Sequence, residues 1–194
     1  NMVRWRKYEH QGVRFFRFSV YRMGMNVQTV YTFVVGDTLI DTAQRNNREI
    51  VLEAIKEEQF SKIILTHFHE DHSGNVAWLQ RKRKIPAYGH PETAKILKEG
   101  YTVSPLGMVI TGNVEKAKIK PLLDSEIIDA GQYQLQPIYT PGHSHDHYSY
   151  YEKNQGWLFS GDLFVAEKIK YFADFESMSE QIISIDKLCQ LDFE

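Results

Sequence analysis

Apolar positions along the chain fall into two patterns, short dense runs and longer stretches at helical spacing. Val13 to Val20 and Thr29 to Val35 are rich in aromatic and β-branched residues, and Gly36-Asp37 separates the second run from Thr38-Leu39-Ile40-Asp41. Such residues fit a pleated, half-buried surface, so these runs predict antiparallel strands with a tight hairpin. Residues Arg45 to Gln59 place Ile50, Val51, Ala54 and Ile55 at helical spacing. Lys62 to Thr66 reads as a buried strand, Asn75 to Lys84 as a helix, Ile85 to Tyr88 as a strand, and Pro91 to Lys98 as a helix with proline in its first turn. Gly100 to Gly112 has no clear period and reads as a flap over a cleft. Strands follow at Glu126 to Asp129, Tyr133 to Thr140, Tyr148 to Glu152 and Trp157 to Ser160, and Ser177 to Leu191 reads as the last helix. This alternation is that of a layered α/β domain.

Composition narrows the picture. A chain of 194 residues, 42% hydrophobic, is expected to form one domain, 1–194, around one core. The formal net charge of -2 gives no long-range pull toward nucleic acid or anionic lipid, so neither is expected as a partner. The only cysteine, Cys189, excludes an intrachain disulfide framework and a thiolate metal cluster, which suits a reducing, cytoplasmic setting. No run approaches the roughly 20 apolar residues of a membrane span, and Met2-Val3-Arg4-Trp5-Arg6 lacks the apolar segment of a signal peptide.

The chemistry sits in two histidine clusters. Six of the eight histidines fall in Thr66-His67-Phe68-His69-Glu70-Asp71-His72 and Thr140-Pro141-Gly142-His143-Ser144-His145-Asp146-His147. In an extended chain His67 and His69 point the same way. Asp71 and His72 continue into a turn that Ser73-Gly74 can close, which aims further donors from another direction. Imidazole nitrogen and carboxylate oxygen without thiolate suit Zn, Fe, Mn or Ni. The set is too rich for one structural zinc and predicts a pair of divalent ions.

The segment Thr66 to His72 resembles the His-x-His-x-Asp-His signature of the metallo-β-lactamase superfamily. Leu39-Ile40-Asp41-Thr42, Thr140-Pro141-Gly142-His143 and Phe159-Ser160-Gly161-Asp162 resemble further motifs of that family, in its order. The resemblance implies an αββα sandwich of two mixed β-sheets with helices outside and metals at one edge. It implies that His67, His69 and His143 hold one ion, that Asp71 and His72 hold a second, and that Asp162 bridges them. Asp41 would orient a ligand and His147 would stand near the site, while His145 and Asp146 depart from the pattern and their role is open.

The implied reaction is hydrolysis of an ester, thioester, lactone or amide small molecule by a metal-activated water that Asp71 orients, with Zn the first choice of ion. Two alternatives share the ligand set: an iron-dependent redox enzyme of the persulfide dioxygenase type, and a catalytically weak metal-binding module. The family's final histidine has no counterpart after His147. This suggests a chain truncated before a last strand and helix, with the first metal site the tighter one and self-association through an unfinished sheet edge.

Weaker signals surround this core. Tyr21, Met23 and Met25 on the first interstrand loop could receive an apolar acyl group or simply cover a sheet edge. Lys168, Lys170 and Tyr171 could bind an anionic substrate end or guard an exposed strand. Arg81-Lys82-Arg83-Lys84 reads better as the solvated, dipole-complementing end of a helix than as a phosphate contact.

Overall fold

The computed structural model describes residues 2–166, 173 and 175–193. Strands β1 (Met2–His10), β2 (Val13–Arg22), β3 (Met25–Val35) and β4 (Thr38–Ile40) pair antiparallel in succession. Strands β5 (Lys62–Ile64), β6 (Ala87–Gly89) and β7 (Ile119–Pro121) then add in parallel, completing a seven-stranded mixed sheet in sequence order. The parallel half is connected through α1 (Arg48–Ala54), α2 (Glu70–Ser73) with α3 (Val76–Arg83), and α4 (Pro91–Glu99) with α5 (Pro105–Ile110).

A second sheet holds β8 (Ile128–Ala130), β9 (Tyr133–Tyr139), β10 (Tyr148–Glu152) and β11 (Trp157–Phe159) in the order β11-β10-β9-β8. The sequence implies two mixed sheets, but every pairing in this one is antiparallel. Its strands follow one another through short loops, whereas parallel neighbours need a crossover of about a dozen residues or more. Helix α6 (Met178–Leu188) comes last among the described elements.

Side-chain alternation along the central strands divides the core. Leu39, Ile63 and Leu65 point to the helices, where they pack with Val51, Ile55, Leu79 and Leu97. Their neighbours Ile40 and Ile64 point the other way, onto Leu135, Tyr150 and Phe159 of the small sheet. Each such fully buried side chain stabilises the fold by roughly 1.5–3 kcal/mol relative to exposure. On the far side of the small sheet, Ile138 and Tyr151 meet Ile185 and Leu188 of α6. The layers therefore run helices, large sheet, small sheet, helix, the expected αββα order. No helix of the described residues is long and apolar enough to cross a membrane.

Strand direction places the chemistry. Because β4 and β5 are parallel, Asp41 and Thr66 leave them on the same edge. In the small sheet β9 and β11 both pair antiparallel to β10, so Thr140 and Ser160 also leave on a common edge. The carboxyl ends of strands are where open α/β sheets bind their ligands. The basic run at the end of α3 is occupied structurally: Arg81 donates to Glu115, and Arg83 donates to the carbonyls of Ile55 and Glu58.

Candidate metal centre

Beyond β5 the chain bends at Thr66 and at Phe68, and His67 and His69 face one another across the second bend. His67 is fully buried, and its Nδ1 lies 3.0 Å from the hydroxyl of Thr66. This leaves Nε2 facing His69 Nδ1 at 3.0 Å, which in turn is 3.0 Å from His143 Nε2. The outer nitrogen of His143, Nδ1, lies 2.7 Å from Oε1 of Glu176. Three imidazole nitrogens thus converge from two loops. A tetrahedral ion with bonds of about 2.0–2.1 Å separates its donors by about 3.3–3.4 Å, close to the spacing seen.

Burial disfavours a charged ring at His67, and the nearby His72, His69 and His143 add to this, so its pKa is well below the ordinary histidine value. His69 is lowered to about 3, first by burial and then by His143 and His72. Neutral imidazole is the form a metal requires.

The second group is richer in carboxylates. Asp41, just past β4, adopts a left-handed backbone at φ 59°, a conformation in which aspartate is enriched among non-glycine residues. Its carboxylate accepts from Thr66 N at 2.8 Å and Thr66 Oγ1 at 2.8 Å and meets His72 Nδ1 at 2.7 Å. Asp41 therefore aims His72 inward. There His72 Nε2 lies 3.2 Å from Asp162 Oδ1 and 3.8 Å from Asp71 Oδ2, yet it is buried with no hydrogen-bond partner among the described residues.

An orphaned buried nitrogen facing two carboxylates is the arrangement a cation would complete. Burial alone would depress His72, but Asp162, Asp41 and Asp71 reverse this and hold its pKa well above the ordinary value. Burial raises Asp71 to about 6 against the pull of His72, whereas Asp162, despite burial, is held low by His72 and His143.

Asp162 joins the groups, with Oδ1 toward His72 and Oδ2 3.8 Å from His143 Nε2. The backbone at Gly161 makes this possible: at φ 55°, an added Cβ would meet His147 Nε2 at 2.5 Å. His147 is not free to act as a donor to an ion. Its Nδ1 lies 2.9 Å from Thr140 Oγ1, and its Nε2 accepts from Asp162 N at 3.2 Å, so it anchors the backbone of Asp162. Asp146 is fully buried and accepts from Phe68 N, Thr93 Oγ1 and Ser144 Oγ, which ties the second histidine loop to the first. His145 lines a cavity of about 400 Å³ together with Phe68, His69, Asp71, Tyr101 and Phe175.

Other sequence-derived candidates lie elsewhere. Met23, 97% exposed, and Met25 sit at the tip of the β2–β3 hairpin. Tyr21 lies under the guanidinium of Arg4. None of the three lines the cavity beside His69 or a second one, of about 340 Å³, beside His72. Lys168, Lys170 and Tyr171 lie outside the described residues.

Two further residues at the site have no signal in the local sequence. Glu176 meets His143, and Gln28 donates to Asp71 Oδ2 at 2.9 Å across 43 positions of chain.

The model of the metallo-beta-lactamase superfamily matches residues 26–192. A hydroxyacylglutathione hydrolase of Yersinia enterocolitica is 34% identical over 145 residues, which cover 73% of this chain and 48% of that protein. The chain spans about half the length of the curated relatives it matches. Among solved structures, the BLEG-1 B3 metallo-beta-lactamase superposes with a TM-score of 0.69 at 25% identity, covering 91% of this chain and 86% of that one. TTHA1623, solved in a di-iron-bound form, superposes with a TM-score of 0.65 at 25% identity, covering 90% and 86%.

Proposed function

The chain belongs to the metallo-beta-lactamase superfamily, and from that premise we propose that it is a metal-dependent hydrolase of a small ester, thioester, lactone or amide. The observation that carries this reading is the meeting of the two donor groups at Asp162, beside a cavity lined by Phe68, Tyr101 and Phe175. His67, His69 and His143 would hold one divalent ion, and Asp71, His72 and Asp162 a second. Zinc suits the nitrogen-rich first group, and iron or manganese fits the same donors. When bound, the ions supply Lewis acidity and lower the pKa of water.

The chain's own side chains do the rest. Asp71 borders the cavity, so its carboxylate can orient a water there. Gln28 holds Asp71 Oδ2 in place. Asp41, Thr66 and His147 fix His72, His67 and Asp162 from behind, so little reorganisation is needed when charge develops. Phe68, Tyr101 and Phe175 give the cavity aromatic walls against which an acyl group can pack. Nucleic acid is not part of this reading, and a reducing setting such as the cytoplasm suits the free Cys189.

An iron-dependent redox activity is the second reading, favoured by the thiolate-free donor set and by the two irons of TTHA1623. The experiment strips the protein with chelator and reloads it with Zn, Mn or Fe. A panel of thioesters, lactones, phosphodiesters and β-lactams is then assayed beside oxygen consumption with a persulfide. The proposal expects hydrolysis of a carbonyl substrate that chelation abolishes and metal restores. Hydrolysis that survives complete chelation, or iron-dependent oxygen consumption without hydrolysis, would overturn it.

A further inference from the structure

We propose that Glu176, two residues before α6, is a positioning residue for His143, fixing its tautomer and its aim. The inference rests on the reading of His143 as a metal ligand. The inner histidines are oriented from nearby in sequence or from the strand edge: His67 by Thr66 and His72 by Asp41. His143 likewise takes its partner from far along the chain: Glu176 is 33 positions away, as Asp41 is 31 from His72.

The surroundings of Glu176 fit this task. Its Oε1 lies 2.7 Å from His143 Nδ1 and also accepts from Gln181 Nε2 at 3.4 Å, while Oε2 accepts from Ala173 N at 2.6 Å. The carboxylate is thus held on both oxygens and only 11% exposed. The histidine loop is seated against α6 and the residue that caps it. Ser177 N donates to Gly142 O at 2.8 Å, and Ser184 Oγ donates to Pro141 O at 2.7 Å. At Gly142, φ is 137° and an added Cβ would lie 2.4 Å from Gln181 N, so the loop can approach α6 only as glycine.

A carboxylate can only accept from the ring, so it selects the tautomer with the proton on Nδ1. That leaves the Nε2 lone pair facing His69. Outer carboxylates of this kind also raise the basicity of the ligand nitrogen. Ser177 and Ser184 already seat the loop, so the acid of Glu176 is not needed for that purpose.

The test uses the full chain. Chelator competition with Zn²⁺ gives the affinity for the first equivalent, and ¹⁵N NMR of the metal-free protein gives the tautomer of His143. Glu176→Ala should weaken the first equivalent by about 10–100-fold and move His143 toward the Nε2-protonated tautomer that neutral imidazole favours in water. Glu176→Gln, whose carbonyl accepts the same bond, should recover most of both. Ser184→Ala, which loosens the loop without touching His143, should change neither.

Unchanged affinity in Glu176→Ala, where His143→Ala binds poorly, would overturn the positioning role alone. An equal loss in Ser184→Ala would overturn it too, by assigning the effect to the loop. Unchanged affinity in His143→Ala would remove both this inference and the reading of His143 as a ligand. If Glu176→Ala fails to fold, the tautomer decides: an Nε2-protonated His143 in the unmodified protein contradicts the proposal.

Discussion

The two donor groups at the sheet edge use the same residue types in opposite electrical settings. His67, His69 and His143 form a nitrogen-rich group in which burial and neighbouring imidazoles keep His67 and His69 neutral. His72, set among Asp41, Asp71 and Asp162, is instead driven toward its protonated form. An ion entering the first group has no proton to displace from His67 or His69 at neutral pH. An ion entering the second must take the place of the proton on His72. For the proposed pair of ions, the contrast leads us to expect that the group of His67, His69 and His143 fills first.

Removing Asp162, which lies between the two groups, is the strongest way to test their coupling. Asp162→Ala should abolish the second equivalent of metal, weaken the first less, and cut hydrolysis by at least about 100-fold, beyond what loss of an outer partner costs. Metal content by elemental analysis, alongside turnover on the substrate identified by the panel, gives the answer. Two ions retained with full turnover would remove Asp162 from the centre.

Acid and base should separate the groups in the metal-free protein. His67, His69 and His147 have folded pKa values below the unfolded value of about 6.5, with His69 and His147 at about 3. The stability linked to them is present above pH 6.5 and is lost as pH falls toward 3. His72 has the opposite sign: its contribution is present below pH 6.5 and is lost as pH rises through its raised folded value.

Asp71, raised to about 6, opposes these three histidines and His90, which burial also lowers, between pH 3.8 and 6, one group against four. Asp162, held low, loses its contribution only as pH falls below 3.8. Urea midpoints of the chelated protein should therefore peak near pH 6.5, with slopes of up to about 1.4 kcal/mol per pH unit for each histidine titrating. His72→Asn should flatten the alkaline limb. A midpoint that climbs steadily from pH 5 to pH 8 in the unmodified protein would contradict the assignment of charge.

What the sequence reveals follows from whether a signal is local. Strands β2 to β5 are legible because their buried faces demand dense β-branched and aromatic runs. β1 is not, since Met2–His10 is an edge strand with most positions exposed and charged residues along it. β7 is three residues ending in proline, too short to show a period. Helix α5 lies within the stretch read as a structureless flap. It buries no residue, so it has no apolar stripe, although Ser104 caps it by accepting from Gly107 N and Pro105 opens its first turn.

The donor residues other than Asp162 stand out because they cluster within two short segments. Their supports do not. Gln28 and Glu176 reach the site only through strand pairing and the seating of α6, and nothing near them in sequence marks an ordinary Gln or Glu as a partner for a histidine or aspartate. Asp146 shows the converse. It lies inside a motif-rich loop, yet its bonds to Phe68, Thr93 and Ser144 make it a brace between loops.

The central proposal is that one edge carries two unequal metal sites, with the group of His67, His69 and His143 the tighter. Crystals soaked with less than one equivalent of Zn²⁺, and measured by anomalous diffraction at the zinc edge, test it most directly. The account predicts a single strong peak bounded by His67, His69 and His143, with density beside His72, Asp71 and Asp162 only after further metal is added. A first peak in the carboxylate group, with the three histidines empty, would contradict it.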